Sequence, residues 1–218
     1  MNEIVRKVEL NRKVRLAKSS YLCSRKVKQK IETMNKKVLI LNGSPRLKGN
    51  TKQMIDEFKR GAEDSGNEVT VFNLKQMNIH ACLGCCKGGK NPDSPCVQKD
   101  DMDQIYPVYE QADVLVLASP PMYYWSFTAI LKAAFDRLFA VAEKDENYRN
   151  PYKETVLLMA SEGDTEDNFK PVADYYHALL HHLGWKSLGE VNAGGVFNVG
   201  DIDGHPKLSD CYNLGKSL

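Results

Sequence analysis

Two stretches of the chain concentrate residues able to do chemistry. The first is Asn42-Gly43-Ser44-Pro45-Arg46-Leu47-Lys48-Gly49-Asn50-Thr51, between an apolar run and a segment of helical spacing. A loop of this composition offers free backbone N–H groups, hydroxyls from Ser44 and Thr51, charge from Arg46 and the start of a helix. Those donors suit a phosphate. The spelling excludes two nucleotide motifs. A Walker A loop needs four residues between its glycines and then Lys. Here five residues separate Gly43 from Gly49, and Asn50 stands in the place of the Lys. The dinucleotide fingerprint G-x-G-x-x-G is missing too. A monophosphate held by amides and hydroxyls is the better fit, with an ordinary strand-to-helix turn as the bland alternative.

The second stretch holds Cys82, Cys85, Cys86 and Cys96, four of the six cysteines in the chain. Residues 1–33 show no continuous apolar segment of the kind a secretory signal requires. A cytoplasmic protein is therefore expected, in which clustered cysteines serve thiol, metal or redox roles instead of a disulfide framework. Adjacent cysteines ligate one centre poorly because their side chains diverge. An iron–sulfur or zinc site built from Cys82, Cys85, Cys86 and Cys96 is thus poorly spelled, and no metal is expected. His177 and His181 are i,i+4 neighbours with no Glu between them to make H-E-x-x-H, so solvated or interface roles are expected. His205 is expected to shape a loop, and Asp136-Arg137 to lie on a helix surface.

The elements that position these residues follow from hydrophobic periodicity. Val38-Leu39-Ile40-Leu41 is a continuous apolar run, as in a strand buried on both faces. Met54, Ile55 and Phe58 then share a helical face. Further strands are expected at Glu68–Leu74, Asp113–Ser119 and Glu154–Ala160, and a fifth within Ser187–Phe197. Helices are expected near Met102–Gln111, with Asp100 or Asp101 as cap, and at Phe127–Ala140, Phe169–Leu183 and Lys207–Leu218. Pro107 falls inside the first of these. Strands that alternate with helices imply a parallel sheet, since parallel neighbours need crossovers. The fold class expected is α/β, a doubly wound five-stranded parallel sheet of flavodoxin-like type with helices on both faces.

At 218 residues and 42% hydrophobic, the chain suits one globular domain. Its longest apolar runs, such as Val114–Ala118, are too short to cross a bilayer. The formal charge of +2 hides a division: residues 1–33 carry a net +7, and residues 34–218 a net −5. A nucleic-acid role would rest on the leader alone, which has no folded motif, so neither nucleic acid nor membrane is an expected partner. Residues 1–33 are read as a basic extension, disordered or not native, with Met34 as a candidate start. Residues 34–218 form the domain.

LILNGSPRLKGNT, at residues 39–51, together with SPPMYYWSFTAILKAAFDR, at 119–137, resembles the NAD(P)H-dependent FMN reductase family of flavodoxin-like proteins. The likeness runs from about Lys36 to the C-terminus and includes GDIDGHP at 200–206. The resemblance implies that Ser44, Arg46, Asn50 and Thr51 hold the FMN phosphate. It further implies that Pro121, Met122, Tyr123, Tyr124 and Trp125 lie beside the isoalloxazine ring. Ser161-Glu162-Gly163-Asp164 would give backbone contacts, from Ser161 and Gly163 above all, to the ring's polar edge. All three loops follow expected strands and so open on one edge of the sheet, and aromatic side chains can stack on a flat ring.

The activity implied is electron transfer from NAD(P)H through FMN to a quinone, nitroaromatic or free flavin, in a homodimer or larger assembly. A non-enzymatic flavin carrier or redox sensor, with or without a cluster, is the alternative. The cysteine segment resembles two family patterns. One is the C-x2-C-x2-C motif of iron–sulfur flavoproteins, in which Gly88 occupies the third position here and Cys86 is out of register. The other is the C-x-G-C segment of cluster-free reductases, ending near Lys99-Asp100-Asp101-Met102, which forms a loop over the flavin edge.

Overall fold

A computed structural model of the chain describes residues 35–218. The expectation for residues 1–33 lies outside them. Five strands form one sheet: β1 (Lys37–Asn42), β2 (Glu68–Asn73), β3 (Val114–Ala118), β4 (Glu154–Ala160) and β5 (Lys186–Ala193). Their spatial order is β2-β1-β3-β4-β5 and every pair is parallel. The helices are α1 (Asn50–Asp64), α2 (Met102–Gln111), α3 (Ala129–Arg137), α4 (Phe139–Ala142), α5 (Lys170–Leu183) and α6 (Pro206–Lys216).

The alternation of strand side chains sorts the core into two layers. Leu39, Leu41, Leu115, Leu117, Leu157 and Met159 face α2, α3, α4 and α5. Val38, Ile40, Val114, Val116, Val156 and Leu158 face α1 and α6. Two-sided burial explains why β1, β3 and β4 read as unbroken apolar runs in the sequence. The doubly wound flavodoxin-like architecture is therefore the one expected.

Local details differ from the sequence expectations. The helix expected over Phe127–Ala140 is two helices meeting at Leu138, and its first turn begins only after Thr128. The fifth strand stops at Ala193, leaving 194–205 as a connecting loop. Pro107 sits inside α2, which continues through it. His205 does shape the chain: its Nδ1 accepts a hydrogen bond from Lys207 N at 3.1 Å and caps α6.

The largest correction concerns Arg137, expected on a surface. It is fully buried and makes a bidentate pair with Asp100, at 2.7 and 3.0 Å. Nη1 also donates to His80 O at 2.9 Å. One side chain on α3 thereby anchors both flanks of the segment from His80 to Asp100, which has little regular structure of its own. Burial alone would raise the Asp100 carboxyl. Hydrogen bonds from Arg137 and from the His80 and Met102 amides outweigh that effect and hold it below its ordinary value. Lys153 is a second buried cation, its Nζ donating to Ala112 O beyond the C-terminus of α2 and lying 5.1 Å from the Tyr109 ring centre. Burial lowers its ammonium to about 8.

Asp100→Asn leaves a buried guanidinium without its counter-charge, and a loss of about 3–5 kcal/mol is expected in urea unfolding at neutral pH. The depressed Asp100 pKa makes this stabilisation complete above the unfolded carboxyl value and lost as pH falls through the folded one. The gap between wild type and variant should accordingly narrow in acid. Lys153 has the opposite consequence. Its folded form releases the proton near pH 8, whereas the unfolded chain keeps it to about pH 10.4. Stability from this group therefore rises with pH over that interval. Relative to Lys153→Met, wild type should gain stability from about pH 7.5 to about pH 9.5, and a constant difference would contradict the burial of a charged amine.

Candidate functional site

The loops after β1, β3, β4 and β5 meet at the carboxyl edge of the sheet around a cavity of about 300 Å³. Ligands of open α/β sheets bind at this edge, and the volume is at the lower end of the range for small-molecule sites. Ser44, Arg46, Asn50, Thr51, Pro121, Met122, Tyr123, Trp125, Ser161 and Gly163 all line the cavity. Tyr124 does not, and is 90% exposed.

The loop after β1 is held from both sides. Asn42 Oδ1 accepts from Ser44 N at 3.0 Å, and Ser44 Oγ accepts from Arg46 N at 3.2 Å. Gly43 passes so close to α3 that a Cβ there would lie 2.7 Å from Leu131 Cβ and 2.8 Å from Thr128 Oγ1. Thr128 Oγ1 donates to Gly43 O at 2.7 Å and accepts from Leu131 N, so one hydroxyl caps α3 and fixes the loop. The helix that follows, α1, has Gly49 at its N-cap, no side-chain cap and no acidic residue in its first turn. Lys52 N donates to Gly49 O at 3.0 Å, which leaves the Asn50 and Thr51 amides without an intrahelical acceptor. Thr51 is buried beside the cavity, and its hydroxyl has no hydrogen-bond partner among the described residues. An uncapped helix start next to Ser44 and Thr51 fits a phosphate.

The loop after β3 presents the aromatic wall. Ser119 Oγ accepts from Thr128 N at 3.1 Å, while Met122 N donates to Ser126 O and Trp125 N to Met122 O at 3.1 and 2.7 Å. Trp125 adopts φ +53, an unusual conformation for a bulky residue. Phe127 anchors the return of the loop, buried edge-on against Tyr175 with ring centres 5.5 Å apart. Tyr123 and Trp125 remain 83% and 56% exposed.

The loop after β4 is pressed against its neighbours. A Cβ on Gly163 would come within 2.2 Å of the Asn168 side chain, which itself lines the cavity. Ser161 N donates to Ala193 O, and Ser161 O accepts from Val196 N, both at 2.9 Å. Val196 and Phe197, on the long loop after β5, complete the wall. Sequence reasoning missed Thr128, Asn168, Val196 and Phe197. The GDIDGHP segment was the one available pointer to the last two, since it lies in the same loop. Arg46 and Asn50 reach the cavity but turn part of their hydrogen bonding to this loop. Arg46 Nη1 donates to Phe197 O, and Asn50 Nδ2 to Asn198 O at 2.9 Å.

The cysteine segment stands apart. None of its residues lines the cavity, so the expected loop over the site is not seen there. Cys82 and Cys86 are exposed, whereas Cys96 packs against the core formed with α2 and α3. Among the described residues no three His, Cys, Asp or Glu side chains converge on a point that could take a metal ion.

A profile of NADPH-dependent FMN reductases matches residues 36–196. An iron–sulfur flavoprotein of Archaeoglobus fulgidus is 32% identical over 178 residues, covering 81% of this chain and 76% of its own. Another, from Methanocaldococcus jannaschii, is 33% identical over 192 residues, with 84% and 95% covered. Among solved structures, an NAD(P)H:quinone oxidoreductase from Methanothermobacter marburgensis superposes with a TM-score of 0.64 at 20% identity, covering 84% of this chain and 97% of that one. An azoreductase from Bacillus anthracis gives 0.61 at 14% identity, with 84% and 100% covered. These two share the fold.

Thr128→Val removes both the cap of α3 and the bond to Gly43 O. A destabilisation of about 1–2 kcal/mol is expected in thermal or urea unfolding. Gly43→Ala should be the more damaging change, because its Cβ has no room beside Leu131; a variant as stable as wild type would contradict the close approach.

Proposed function

The chain belongs to the NADPH-dependent FMN reductase family, and on that premise we propose that it passes electrons from NAD(P)H to a small acceptor, namely a quinone, a nitroaromatic or free flavin. It is an oxidoreductase, and when bound FMN supplies the hydride and electron chemistry. The protein's residues supply position and environment. The uncapped N-terminus of α1 carries the reading, because its amides and the Thr51 hydroxyl are the donors a phosphate needs.

In this proposal Ser44, Thr51, Asn50 and Arg46 receive the phosphate. Pro121, Met122, Tyr123 and Trp125 flank the ring, exclude water from one side and offer a stacking surface. Backbone groups of Ser161 and Gly163 face the ring's polar edge. No side chain is assigned a role as general acid or base. Tyr124 belongs to the outer side of the same loop, and its exposure beside Tyr123 and Trp125 supports a contact with a second copy in a homodimer. Residues 34–218 are taken as the functional domain, since the family match falls within them. The five described cysteines are unpaired, which suits a reducing cytoplasm. Among the described residues no helix is long and apolar enough to cross a membrane.

The relatives' name raises the question of a cluster. The spelling of the segment, with Cys85 and Cys86 adjacent and Gly88 in the third position of the relatives' motif, supports a site without one, and these thiols have no part in the proposed electron transfer. Protein purified anaerobically should contain FMN, or take it up, and no stoichiometric iron or acid-labile sulfide. About four irons per chain would reverse the assignment of the cysteine segment.

Thr51→Val and Ser44→Ala should each weaken FMN binding about 10- to 100-fold, as expected for lost hydrogen bonds to a charged group. Equilibrium titration of flavin fluorescence reads this directly. Steady-state NAD(P)H oxidation with a quinone separates an enzyme from a carrier. Turnover with both substrates alone supports the proposal, and reduction only by a protein partner would favour the carrier. Absence of a flavin spectrum after FMN addition sinks both.

A further inference from the structure

Residues 194–203 form a strap bound to two other loops, and Val196 and Phe197 from it line the cavity. Gly195 N donates to Glu162 O at 3.1 Å and Val196 N to Ser161 O at 2.9 Å, which ties one end to the loop after β4. The other end is tied to the loop after β1 and to α1. Asn50 donates to Asn198 O at 2.9 Å and accepts from Gly200 N at 3.3 Å, while Gln53 Nε2 donates to Asp203 Oδ1 at 2.8 Å. Arg46 donates to Phe197 O, and its guanidinium carbon lies 5.2 Å from the centre of the Phe197 ring. Phe197 lines the cavity together with Ser44, Arg46 and Thr51. Asp201 lies outside the cavity lining and sets the bend. Its Oδ2 accepts from Phe197 N at 3.0 Å and from Asn198 N at 2.6 Å.

We infer that this strap makes the site select FMN over FAD, with Phe197 as the specificity-determining residue and Asp201 as the residue that positions it. The inference rests on the FMN reading above. FMN ends at its phosphate, so a closed strap costs it nothing. FAD continues from the same phosphorus into an AMP group, which must leave the cavity where Phe197 and the Arg46 bond lie. Admitting it means displacing the ring and breaking hydrogen bonds that only this conformation of the strap makes. Phe197 itself is 47% exposed, so its removal opens a path without emptying the core.

The test is equilibrium binding of FMN and of FAD to the full chain, with flavin-free melting temperatures as a check on folding. Wild type should prefer FMN by at least about 100-fold, the scale of two or three lost hydrogen bonds. Phe197→Ala and Asp201→Ala should each reduce that ratio at least about tenfold, with FAD gaining affinity or FMN leaving faster. Asp201→Asn keeps an acceptor oxygen and should retain most of the preference. A purely structural role for Asp201 would lower the melting temperature while leaving the ratio unchanged. Equal affinity of wild type for the two flavins, or a ratio unmoved by Phe197→Ala, overturns the strap inference and leaves the FMN reading intact. Failure of wild type to bind either flavin removes the FMN reading itself.

Discussion

The five strands among the described residues all run parallel, and each is connected to the next by a crossover that cannot be a tight turn. From that constraint the rest follows. Helices must cover both faces, so the central strands are apolar throughout. Every strand-to-helix loop must leave by the same edge, so segments far apart in sequence, at 44–51, 120–125, 161–163 and 196–197, become walls of one cavity. Between β1 and β3 the sheet order leaves the crevice in which open α/β sheets hold ligands. Nothing in the site requires an unusual fold. It requires this sheet, with donors at one loop and aromatic rings at another.

The polar groups inside the fold join loops instead of strengthening strands. Thr128 connects the turn after β3 to the turn after β1. Arg137 reaches from α3 to Asp100 and His80, giving a segment poor in regular structure two fixed ends. Isolated buried ion pairs contribute little net stability, but removing one partner is costly because the other charge is stranded. The Arg137–Asp100 pair is thus better understood as fixing where residues 80–100 begin and end. Between these fixed ends Cys96 packs near the core while Cys82 and Cys86 reach solvent.

Periodicity and turn chemistry made much of the protein legible beforehand. β1, β3 and β4 announce themselves as apolar runs because two-sided burial leaves no polar positions. The phosphate loop is legible because a glycine, two hydroxyls and an arginine stand between a strand and a helix. Resemblance then supplied the aromatic loop, and nearly all of its residues do line the cavity. Tyr124 is the exception, since alternation along a turn does not say which of three adjacent rings faces inward.

What escaped the sequence has a common physical cause. Arg137 follows Asp136 on a helix and carries a charge, so burial is the improbable reading until a carboxylate 37 residues earlier is brought to it. The regular pairing of β5 ends where Ala193 meets Ala160, the last residue of β4, and beyond that point residues 195 and 196 bond to the loop after β4 outside the ladder. The loop that follows then finds Arg46 and Asn50, some 150 residues away. The sequence by itself determined the fold class, the helix start suited to phosphate and the apolar core, because each depends on neighbours a few residues apart. The tertiary structure alone decided which charges are buried, which thiols reach solvent and which loop roofs the site. Those depend on partners that only the sheet brings within hydrogen-bond range.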